Sequence, residues 1–577
     1  MNPSERRTRS ARTAELAVGC FLLCALALGL GGRQLDVPGL YYDEVIQAEP
    51  AVQFLADAGR PVEVPGMRTV RAFGGWFPLM TQSYMGALKS QALIPVFAVF
   101  GATPSSLRAA TFFFGLCGLL AAVAWGTALL GSRPALLAGT LLAVDPSFLF
   151  ASRLDWGSFA IGLLCRCLGL FWFTRAVQLA DDADATNSAV TWRMAAAGLL
   201  LGAGLYNKID VAVVFAALVV AAGIAFRGDA LRCATSLATR NTLAVVALGV
   251  AAALGAAPLL AALGDATDAT GALVSGGGMS SADWNEKLRT AVATLDGSYM
   301  HRLMLAGGDF ESMYGDPRPG AGGFFTAFLL GLAYLIATAV HDARRDRANR
   351  INVLLVAASL LGALFIFFTP RAVRIHHVLN LAPLPHLVVA AAVFDAWRRF
   401  GTRALRVGVA AATAAVLASS IAASRATFDE LRETGGRGRW SNALADFGRE
   451  LESEPGCEVL SLDWGFHGPL RFTSRDLTLK EPFWSWWRPA RRNARWTHDG
   501  DEHHVYLVHE GRLAVFDYGA EFLAAARALD PGSVTIRRHE DGGGDPAFTS
   551  IRIGAPHRVD HTPRQPGQTR FDIQLRR

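Results

Sequence analysis

The chain has 577 residues, of which 52% are hydrophobic and only 18% are charged, and its mean hydropathy is +0.28. A soluble protein carries about 25% charged residues and divides into several domains at this length, so an ordinary soluble protein is excluded. The same composition excludes a disordered chain, a disulfide scaffold and a coiled coil. The sequence therefore predicts a polytopic membrane protein with a soluble appendage.

The basic residues are almost all arginines, because only four of the 55 are lysines. The arginines stand in short groups between apolar segments, which is the positive-inside pattern of membrane proteins. Binding to nucleic acid is therefore not expected. The seven cysteines predict no disulfide framework, since most of them lie within apolar segments.

Eleven apolar segments are candidates for crossing a bilayer, which takes about 20 residues of helix. The first, 15–30, follows a basic start and is interpreted as a retained anchor rather than a cleaved signal peptide. The others are 107–130, 134–151, 157–179, 193–207, 210–226, 242–263, 323–341, 351–368, 376–396 and 405–423. A further apolar segment, 84–100, carries Lys89 and Pro95 and is interpreted as a re-entrant or interfacial helix.

The arginine clusters decide the predicted topology. With eleven crossings, the arginine-rich loops at 133, 227–240, 344–350 and 398–406 all face inside, whereas a twelfth crossing at 84–100 turns them outside. We therefore expect a multi-pass protein of a bacterial-type inner (cytoplasmic) membrane, with its N-terminus inside and its C-terminus outside.

Two parts of the chain are predicted from this topology. The first is an all-α transmembrane domain, 1–423, with a long first outer loop at 32–106 and a larger, Gly-rich outer loop at 264–321. The second, 424–577, is a small extracytoplasmic α/β domain. Its strands are predicted at 458–464, 504–509, 534–538 and 550–553, and its helix at 520–529.

Two adjacent carboxylates, Asp43 and Glu44, follow the first apolar segment. A low-dielectric surrounding near the membrane raises the pKa of a carboxylate and suits it to act as a general base. Asp43 is equally suited to cap a helix over 44–58, where an acid interacts favourably with the helix N-terminus. Both interpretations stay open, because a capped helix start also fixes the position of a catalytic carboxylate.

A third carboxylate, Asp155, lies between two apolar segments on the same predicted outer face. Ionisable residues at that depth are costly and are usually functional. The alternative is an interfacial ion pair between Arg153 and Asp155.

Basic residues gather at the same face and predict binding of phosphate by charge and hydrogen bonds. They are Lys89, Lys208, Arg371, Arg374, His376 and His377. For each one alone, the alternative is a side chain that extends to the lipid headgroups. Together with the carboxylates, they predict a phosphate-bearing lipid substrate and a nucleophile that must lose a proton.

At these residues the sequence resembles the glycosyltransferase C superfamily, in particular the lipid-carrier-dependent enzymes related to aminoarabinose transferases and protein O-mannosyltransferases. The resemblance covers roughly 15–400, and Phe77-Pro78-Leu79 departs from the usual Pro-Pro-Leu. The matching stretches are Tyr42-Asp43-Glu44, Trp76-Phe77-Pro78-Leu79, Tyr84-x-x-Ala87-x-Lys89, Phe100-Gly101-Ala102-Thr103 with Arg108, Gly131-Ser132-Arg133, Pro146 to Asp155, Gly202 to Lys208, and Arg374-Ile375-His376-His377.

The resemblance implies transfer of a sugar, a hexose or a pentose, from a polyprenyl-phosphate carrier to an acceptor hydroxyl or amine on the outer face, with inversion. Asp43 is then the base that activates the acceptor, with Glu44 beside it, and Asp155 is the acid of the second outer loop. The six basic residues hold the lipid phosphate. The acceptor is a glycolipid, a polysaccharide or a protein of the cell envelope, and the sequence leaves this choice open.

Some relatives use a divalent cation, so Asp43, Glu44 and Asp155 are also candidate metal ligands. Two other functions stay open at this point. A transporter or lipid flippase is suggested by the number of apolar segments, although transporters place ionisable residues near the bilayer midplane and often contain inverted repeats. A non-catalytic membrane scaffold, whose C-terminal domain binds a partner, is the third hypothesis.

Overall fold

The computed structural model describes most of the chain. The described residues are 3–56, 67–180, 186–262, 281–310, 312–315, 322–341, 347–368, 373–454, 456–474, 477–481, 496–498, 503–516, 518–527, 534–554 and 571–573. Most of them are helical, as the long apolar segments predicted.

The helices up to the second long loop are α1 (Pro3–Gly31), α2 (Tyr42–Val45), α3 (Glu49–Leu55), α4 (Leu88–Phe100), α5 (Pro104–Leu130), α6 (Ser132–Val144), α7 (Pro146–Leu154), α8 (Phe159–Ala180), α9 (Asn187–Asn207), α10 (Val211–Phe226), α11 (Gly228–Arg240), α12 (Thr242–Gly255) and α13 (Ala257–Ala261). The later helices are α14 (Ser281–Leu295), α15 (Tyr299–Leu305), α16 (Phe324–His341), α17 (Arg347–Phe367), α18 (Ile375–Val378), α19 (Leu384–Arg399), α20 (Arg403–Thr434), α21 (Ala443–Glu452), α22 (His467–Thr473) and α23 (Tyr518–Arg527). The strands are β1 (Arg68–Ala72), β2 (Gly75–Gln82), β3 (Met85–Gly86), β4 (Glu458–Ser461), β5 (Thr478–Lys480), β6 (Trp496–His498), β7 (His504–Val508), β8 (Val534–Glu540), β9 (Pro546–Ile553) and β10 (Phe571–Ile573).

Seven straight helices in the described residues are long and apolar enough to cross a membrane: α1, α5, α8, α9, α16, α17 and α20. Three more candidates are bent pairs: α6 with α7 at 65°, α10 with α11 at 112°, and 375–381 with α19 at 43°. The remaining predicted segment contains α12, an apolar helix of 14 residues. The polytopic membrane architecture is thus confirmed, whereas the number of eleven crossings stays a prediction.

The segment 84–100 contains α4, which has 13 residues. At 1.5 Å per residue this helix is about 20 Å long, which is too short to cross a hydrocarbon core of about 30 Å. The length is therefore consistent with the predicted re-entrant or interfacial helix.

The first outer loop differs from the sequence prediction of one helix over 44–58. Two short helices, α2 and α3, replace it, and Pro50 stands in the first turn of α3, where its missing N–H has no helical partner to lose. The helix cap of α2 is Tyr41, so the prediction that Asp43 caps a helix is wrong. An antiparallel sheet of β1, β2 and β3 follows, which the sequence did not predict.

The C-terminal part contains the predicted sheet. Its order is β5-β4-β7-β9-β8, with β4 parallel to β5 and β7, and β9 antiparallel to β7 and β8. The predicted strands and the helix α23 are confirmed, while β5, β6 and β10 were missed. The predicted domain boundary at 423 falls inside α20, a continuous helix of 32 residues.

Helix α22 of this part packs against the first outer loop. The guanidinium of Arg471 lies 2.9 Å from the carboxylate of Glu49, and Phe472 joins the buried cluster that contains Leu40 and Val45. The C-terminal part is therefore in contact with the two short helices that follow the first span.

Candidate active site

Asp43 lies in the first turn of α2 and is partly exposed. Burial raises the pKa of its carboxyl group to about 6, while the charges of Lys208, Arg374 and Arg439 act in the opposite direction. Within the described residues, no group donates a hydrogen bond to this carboxylate. Asp43 is thus an unpaired acid, poised to gain a proton near neutral pH and surrounded by three cations.

The carboxylate of Glu44, the next residue, is instead fully buried and paired. Arg108 donates from Nε to one oxygen of Glu44 at 2.6 Å and from Nη2 to the other at 2.9 Å, and both side chains are fully buried. Arg108 also donates to the carbonyls of Pro38 and Gly39. Since both oxygens of Glu44 are engaged, its contacts favour a positioning role over the catalytic role expected from the sequence.

Asp155 is also buried and paired. Its Oδ2 lies 3.2 Å from Nζ of Lys89, and its Oδ1 accepts a hydrogen bond of 2.8 Å from the amide of Ala160. The ammonium of Lys89 donates as well to the backbone carbonyls of Glu44 and Asp155, each at 3.1 Å. Two hydrogen bonds and one ion pair therefore hold Lys89, so its geometry favours positioning of the loops over the expected binding of phosphate.

The alternative pairing of Arg153 with Asp155 is not what the structure contains. Arg153 donates instead to the backbone carbonyls of Gln34 and Val37. The ion pair of Asp155 is with Lys89, which comes from the first outer loop.

A strained turn follows α7 and lies beside the basic side chains of the site. Asp155, Gly157 and Ser158 have φ values of 45°, 67° and 53°, in the left-handed region that non-glycine residues rarely adopt. A Cβ atom on Gly157 would lie 3.0 Å from Nζ of Lys208 and 3.1 Å from the ring of His376. The turn therefore needs glycine both for its backbone and for the close approach of two basic side chains.

These basic side chains form one cluster beside Asp43. Lys208 is buried and lies 3.0 Å from Asp210, the rings of His376 and His377 are 4.2 Å apart, and the amide of Arg374 donates to Nδ1 of His377. The structure thus brings together four of the six predicted phosphate ligands.

Two predicted phosphate ligands do not join this cluster in the described structure. Lys89 is engaged with Asp155, and Arg371 lies outside the described residues. Arg374 is only partly free, because it pairs with Glu286 at 2.6 Å and its guanidinium lies 3.9 Å from the ring centre of Phe310.

The C-terminal part contributes residues that the sequence did not indicate. The ring of Tyr41 lies 4.7 Å from that of Trp156 and 4.3 Å from that of Trp440, and the two indoles are 5.5 Å apart, so three distant segments meet in one aromatic cluster next to Asp43. Arg439 precedes Trp440, donates to the carbonyls of Gly308 and Leu513, and is one of the cations that lower the pKa of Asp43. No local pattern signals such a role, since Arg439 lies almost 400 residues from Asp43 in the chain.

Neither a family model nor the sequence of a curated protein matches the chain. Solved structures do match. ArnT from Cupriavidus metallidurans bound to undecaprenyl phosphate is similar at a TM-score of 0.52 and 13% identity, over 93% of this chain and 99% of that chain. The oligosaccharyltransferase of Archaeoglobus fulgidus in complex with Zn and sulfate is similar at 0.52 and 14% identity, over 81% of this chain and 62% of that one.

The chain has the glycosyltransferase C fold. ArnT in the apo state gives nearly the same similarity, a TM-score of 0.51 at 12% identity over 93% of this chain and 99% of that chain. The resemblance found in the sequence is thus confirmed at the level of the fold. It is this fold that brings the loop after α1, the turn after α7 and the C-terminal part around Asp43.

Several buried polar atoms around this site have no hydrogen-bond partner among the described residues. They include Oη of Tyr41, Nε1 of Trp156, Nε1 of Trp440, Oδ1 of Asn207, Oη of Tyr299, Nδ1 of His376 and Nε of Arg439. Buried polar groups are normally satisfied, and each unsatisfied one calls for an explanation. Their concentration beside Asp43 is what a site for a polar ligand requires.

The three acids that the sequence gives as candidate ligands of a divalent cation do not have contacts that fit one. Glu44 has both oxygens on Arg108, and Asp155 is shared between Lys89 and the amide of Ala160. Within the described part of the chain, no three His, Cys, Asp or Glu side chains lie together as a metal site would require. Only Asp43 of the three predicted ligands is unengaged, so we derive no step that passes through a metal ion.

Proposed function

We propose that the protein is an integral membrane glycosyltransferase that moves a sugar from a polyprenyl-phosphate carrier to an acceptor hydroxyl or amine on the outer face of the membrane. The observation that carries the proposal is the unpaired carboxylate of Asp43, with its pKa raised to about 6 and with Lys208, Arg374 and Arg439 around it. A base beside fixed cations, at the edge of the membrane-spanning helices, matches the two demands of this reaction.

The first demand is removal of a proton. The acceptor hydroxyl or amine attacks the anomeric carbon of the sugar, the bond between that carbon and the phosphate oxygen breaks, and the proton of the acceptor passes to Asp43. A carboxylate whose pKa lies near the working pH is a better base than one with an ordinary pKa. One displacement of this kind inverts the anomeric centre.

The second demand is stabilisation of the leaving phosphate, which gains negative charge as the bond breaks. Lys208 is a fixed, buried cation and Arg374 is a second cation near it, while the rings of His376 and His377 add hydrogen-bonding groups. Cations placed in advance stabilise a developing charge without reorganisation. ArnT is known with bound undecaprenyl phosphate, which supports a lipid phosphate as the leaving group here.

Two buried ion pairs hold this arrangement. Arg108 fixes Glu44, and so fixes the helix turn that carries Asp43, while Lys89 joins Asp155 to the carbonyl of Glu44. Glu44, Lys89 and Asp155 are therefore proposed as positioning residues. Asp43 is proposed as the catalytic base.

The remaining features of the proposal concern location. The protein lies in a bacterial-type inner membrane with its N-terminus inside, and the part from about 424 onward lies outside as a separate domain. The acceptor is a glycolipid, a polysaccharide or a protein of the envelope, and contacts of that domain with the first outer loop support its role in acceptor binding.

The alternative function, a transporter, would need ionisable residues within the membrane-spanning helices. Arg166 in α8 and the pair of His386 with Asp145, at 3.1 Å, are buried there. Arg166 donates to the carbonyl of Ala382, a residue of the segment that joins α18 to α19. Asp145 caps α7 where the chain bends between α6 and α7. These fixed partners favour structural roles, whereas the unpaired groups lie around Asp43, which favours the transferase.

The experiment that tests the proposal compares envelope glycans of a deletion strain with those of strains that carry the wild type or Asp43→Asn. The wild type restores one class of glycosylated product, and Asp43→Asn inserts and folds but restores none. Asp446→Asn, an exposed acid on α21, is the matched control and restores the product fully. Product formed by Asp43→Asn at the wild-type rate would show that Asp43 is not the base.

A further inference from the structure

A cavity of about 140 Å³ lies between the ends of α1 and α20, away from the residues that surround Asp43. Arg33, Arg425 and Arg432 line it together with one carboxylate, Asp429, which binds Arg432 at 2.9 Å. Within the described residues, neither Arg33 nor Arg425 has a hydrogen bond or an ion pair. Both side chains are exposed, so the cavity opens to solvent between two arginines that no carboxylate of the described residues pairs.

Buried polar groups at this cavity also lack partners. Oγ of Ser424 and Oε1 of Gln34, both from lining residues, have none among the described residues. Behind the wall, the guanidinium of Arg153 lies 4.8 Å from the ring centre of Phe428 and is 1% exposed. Its Nη2 donates to the carbonyl of Gln34, but its Nε and Nη1 have no partner in the described structure. Unpaired buried donors are costly, so these two call for an acceptor, although the charges of Glu44 and Asp36 already act on Arg153.

The level of the cavity is that of a lipid headgroup. From Thr13 to Leu30 in α1, and from Arg403 to Arg425 in α20, each helix rises about 25–33 Å, which matches a hydrocarbon core of about 30 Å. The neighbouring surface of α1 is apolar and exposed, with Phe21 at 72% and Leu28 at 49%. A molecule in this cavity can therefore extend acyl chains along α1.

We propose that this cavity binds the phosphate-bearing headgroup of an anionic phospholipid, in the leaflet on the side of the C-terminal part. Arginine binds phosphate through charge-assisted, bidentate hydrogen bonds, and three guanidinium groups around one cavity suit a phosphodiester. The volume of about 140 Å³ suits one small group, since a cavity of about 150 Å³ holds a benzene molecule, so the phosphate enters the cavity and the acyl chains stay outside it. The proposal does not depend on the transfer reaction, because the residues assigned to that reaction do not line this cavity.

The test uses the full-length protein in a neutral detergent, with native mass spectrometry and thermal unfolding as readouts. Phosphatidylglycerol, phosphatidylcholine and inorganic phosphate are added separately to the wild type, to Arg33→Gln/Arg425→Gln and to the control Arg512→Gln. Arg512 is an exposed arginine of the C-terminal part that does not line the cavity. The comparison between variants is decisive, because the inner arginine clusters also attract anionic lipid.

We expect the double variant to retain one phosphatidylglycerol fewer than the wild type and to lose at least half of the rise in unfolding temperature that this lipid produces. Arg512→Gln keeps both, and phosphatidylcholine produces neither. Equal retention and an equal rise in the double variant would overturn the proposal. A rise of the same size with inorganic phosphate alone, lost in the double variant, would replace the lipid by free phosphate as the ligand.

Discussion

The ammonium of Lys89 lies 3.2 Å from Oδ2 of Asp155 and 3.1 Å from the backbone carbonyl of Glu44, with both charged side chains almost completely buried. One lysine therefore joins α4 to the second outer loop and to the turn that presents Asp43. Helix α4 also packs through the buried side chains of Leu93 and Phe97, and the ion pair adds a link from this helix to the left-handed turn at Asp155.

Lys89→Met is expected to lower stability and transfer activity together. Removal of one partner of a buried pair leaves an uncompensated charge, which costs about 3–5 kcal/mol. The double variant Lys89→Met/Asp155→Leu removes both charges and should recover part of that stability, but not activity, because the link to Glu44 is absent. Thermal unfolding of the wild type, the two single variants Lys89→Met and Asp155→Leu, and the double variant gives the coupling energy of the pair in a double-mutant cycle. Additive losses would contradict a direct pair.

Asp43→Asn and Glu44→Gln are expected to change the stability of the protein in opposite directions. Glu44→Gln removes the partner of buried Arg108 and should destabilise by several kcal/mol, by the same argument about unpaired charge. Asp43→Asn removes a charge that is unfavourable above pH 6, so it should raise the unfolding temperature at pH 7.5 while abolishing transfer. A loss of stability in Asp43→Asn equal to that in Glu44→Gln would show that Asp43 is a structural residue.

The pH dependence of that gain follows from the pKa of Asp43, which is about 6 in the folded chain against an ordinary value of 3.8. A carboxyl group with a raised pKa favours the folded state below its ordinary value and loses that contribution as pH rises through 6. The stability difference between Asp43→Asn and the wild type should therefore be largest above pH 7 and should vanish near pH 4. A difference that does not change with pH would contradict the raised pKa.

The role of Arg439 can be tested on the acid limb, the low-pH side, of a plot of kcat/KM for transfer against pH. The value of kcat/KM should fall as pH decreases through about 6, because the base must be deprotonated in the free enzyme. Arg439→Gln removes a cation near Asp43 and should move this limb to higher pH, whereas Arg439→Lys should leave it close to 6. Arg512→Gln, which also removes one positive charge, is the control. If the acid limb of Arg439→Gln lies at the same pH as that of the wild type, Arg439 only holds the segments at Gly308 and Leu513 together and does not act on Asp43.

The sequence was sufficient for the polytopic membrane architecture and for four of the C-terminal strands, because both depend on local periodicity, whereas the number of eleven crossings stays a prediction. It also indicated Asp43, Lys208 and Arg374. It could not separate Asp43 from Glu44, since the difference lies in Arg108, which is 64 residues away, and it did not indicate Arg439 at all. Such partners depend on how distant helices pack, and no local pattern of residue types records that.

Gly157→Ala tests whether the turn after Asp155 controls the phosphate cluster. The new methyl group would lie 3.0 Å from Nζ of Lys208 and 3.1 Å from the ring of His376, and alanine is also strained at a φ of 67°. Gly435→Ala is the matched control, because Gly435 has a φ of 66° at the end of α20 but no atom within 4 Å of its added Cβ. Both variants carry a backbone cost of about 1–2 kcal/mol, so their unfolding temperatures should fall by similar amounts. Only Gly157→Ala displaces Lys208, and we expect it to weaken binding of the lipid-phosphate donor at least tenfold, measured as the rise in KM for that donor. Equal KM values in the two variants would mean that the turn at Gly157 does not set the position of Lys208.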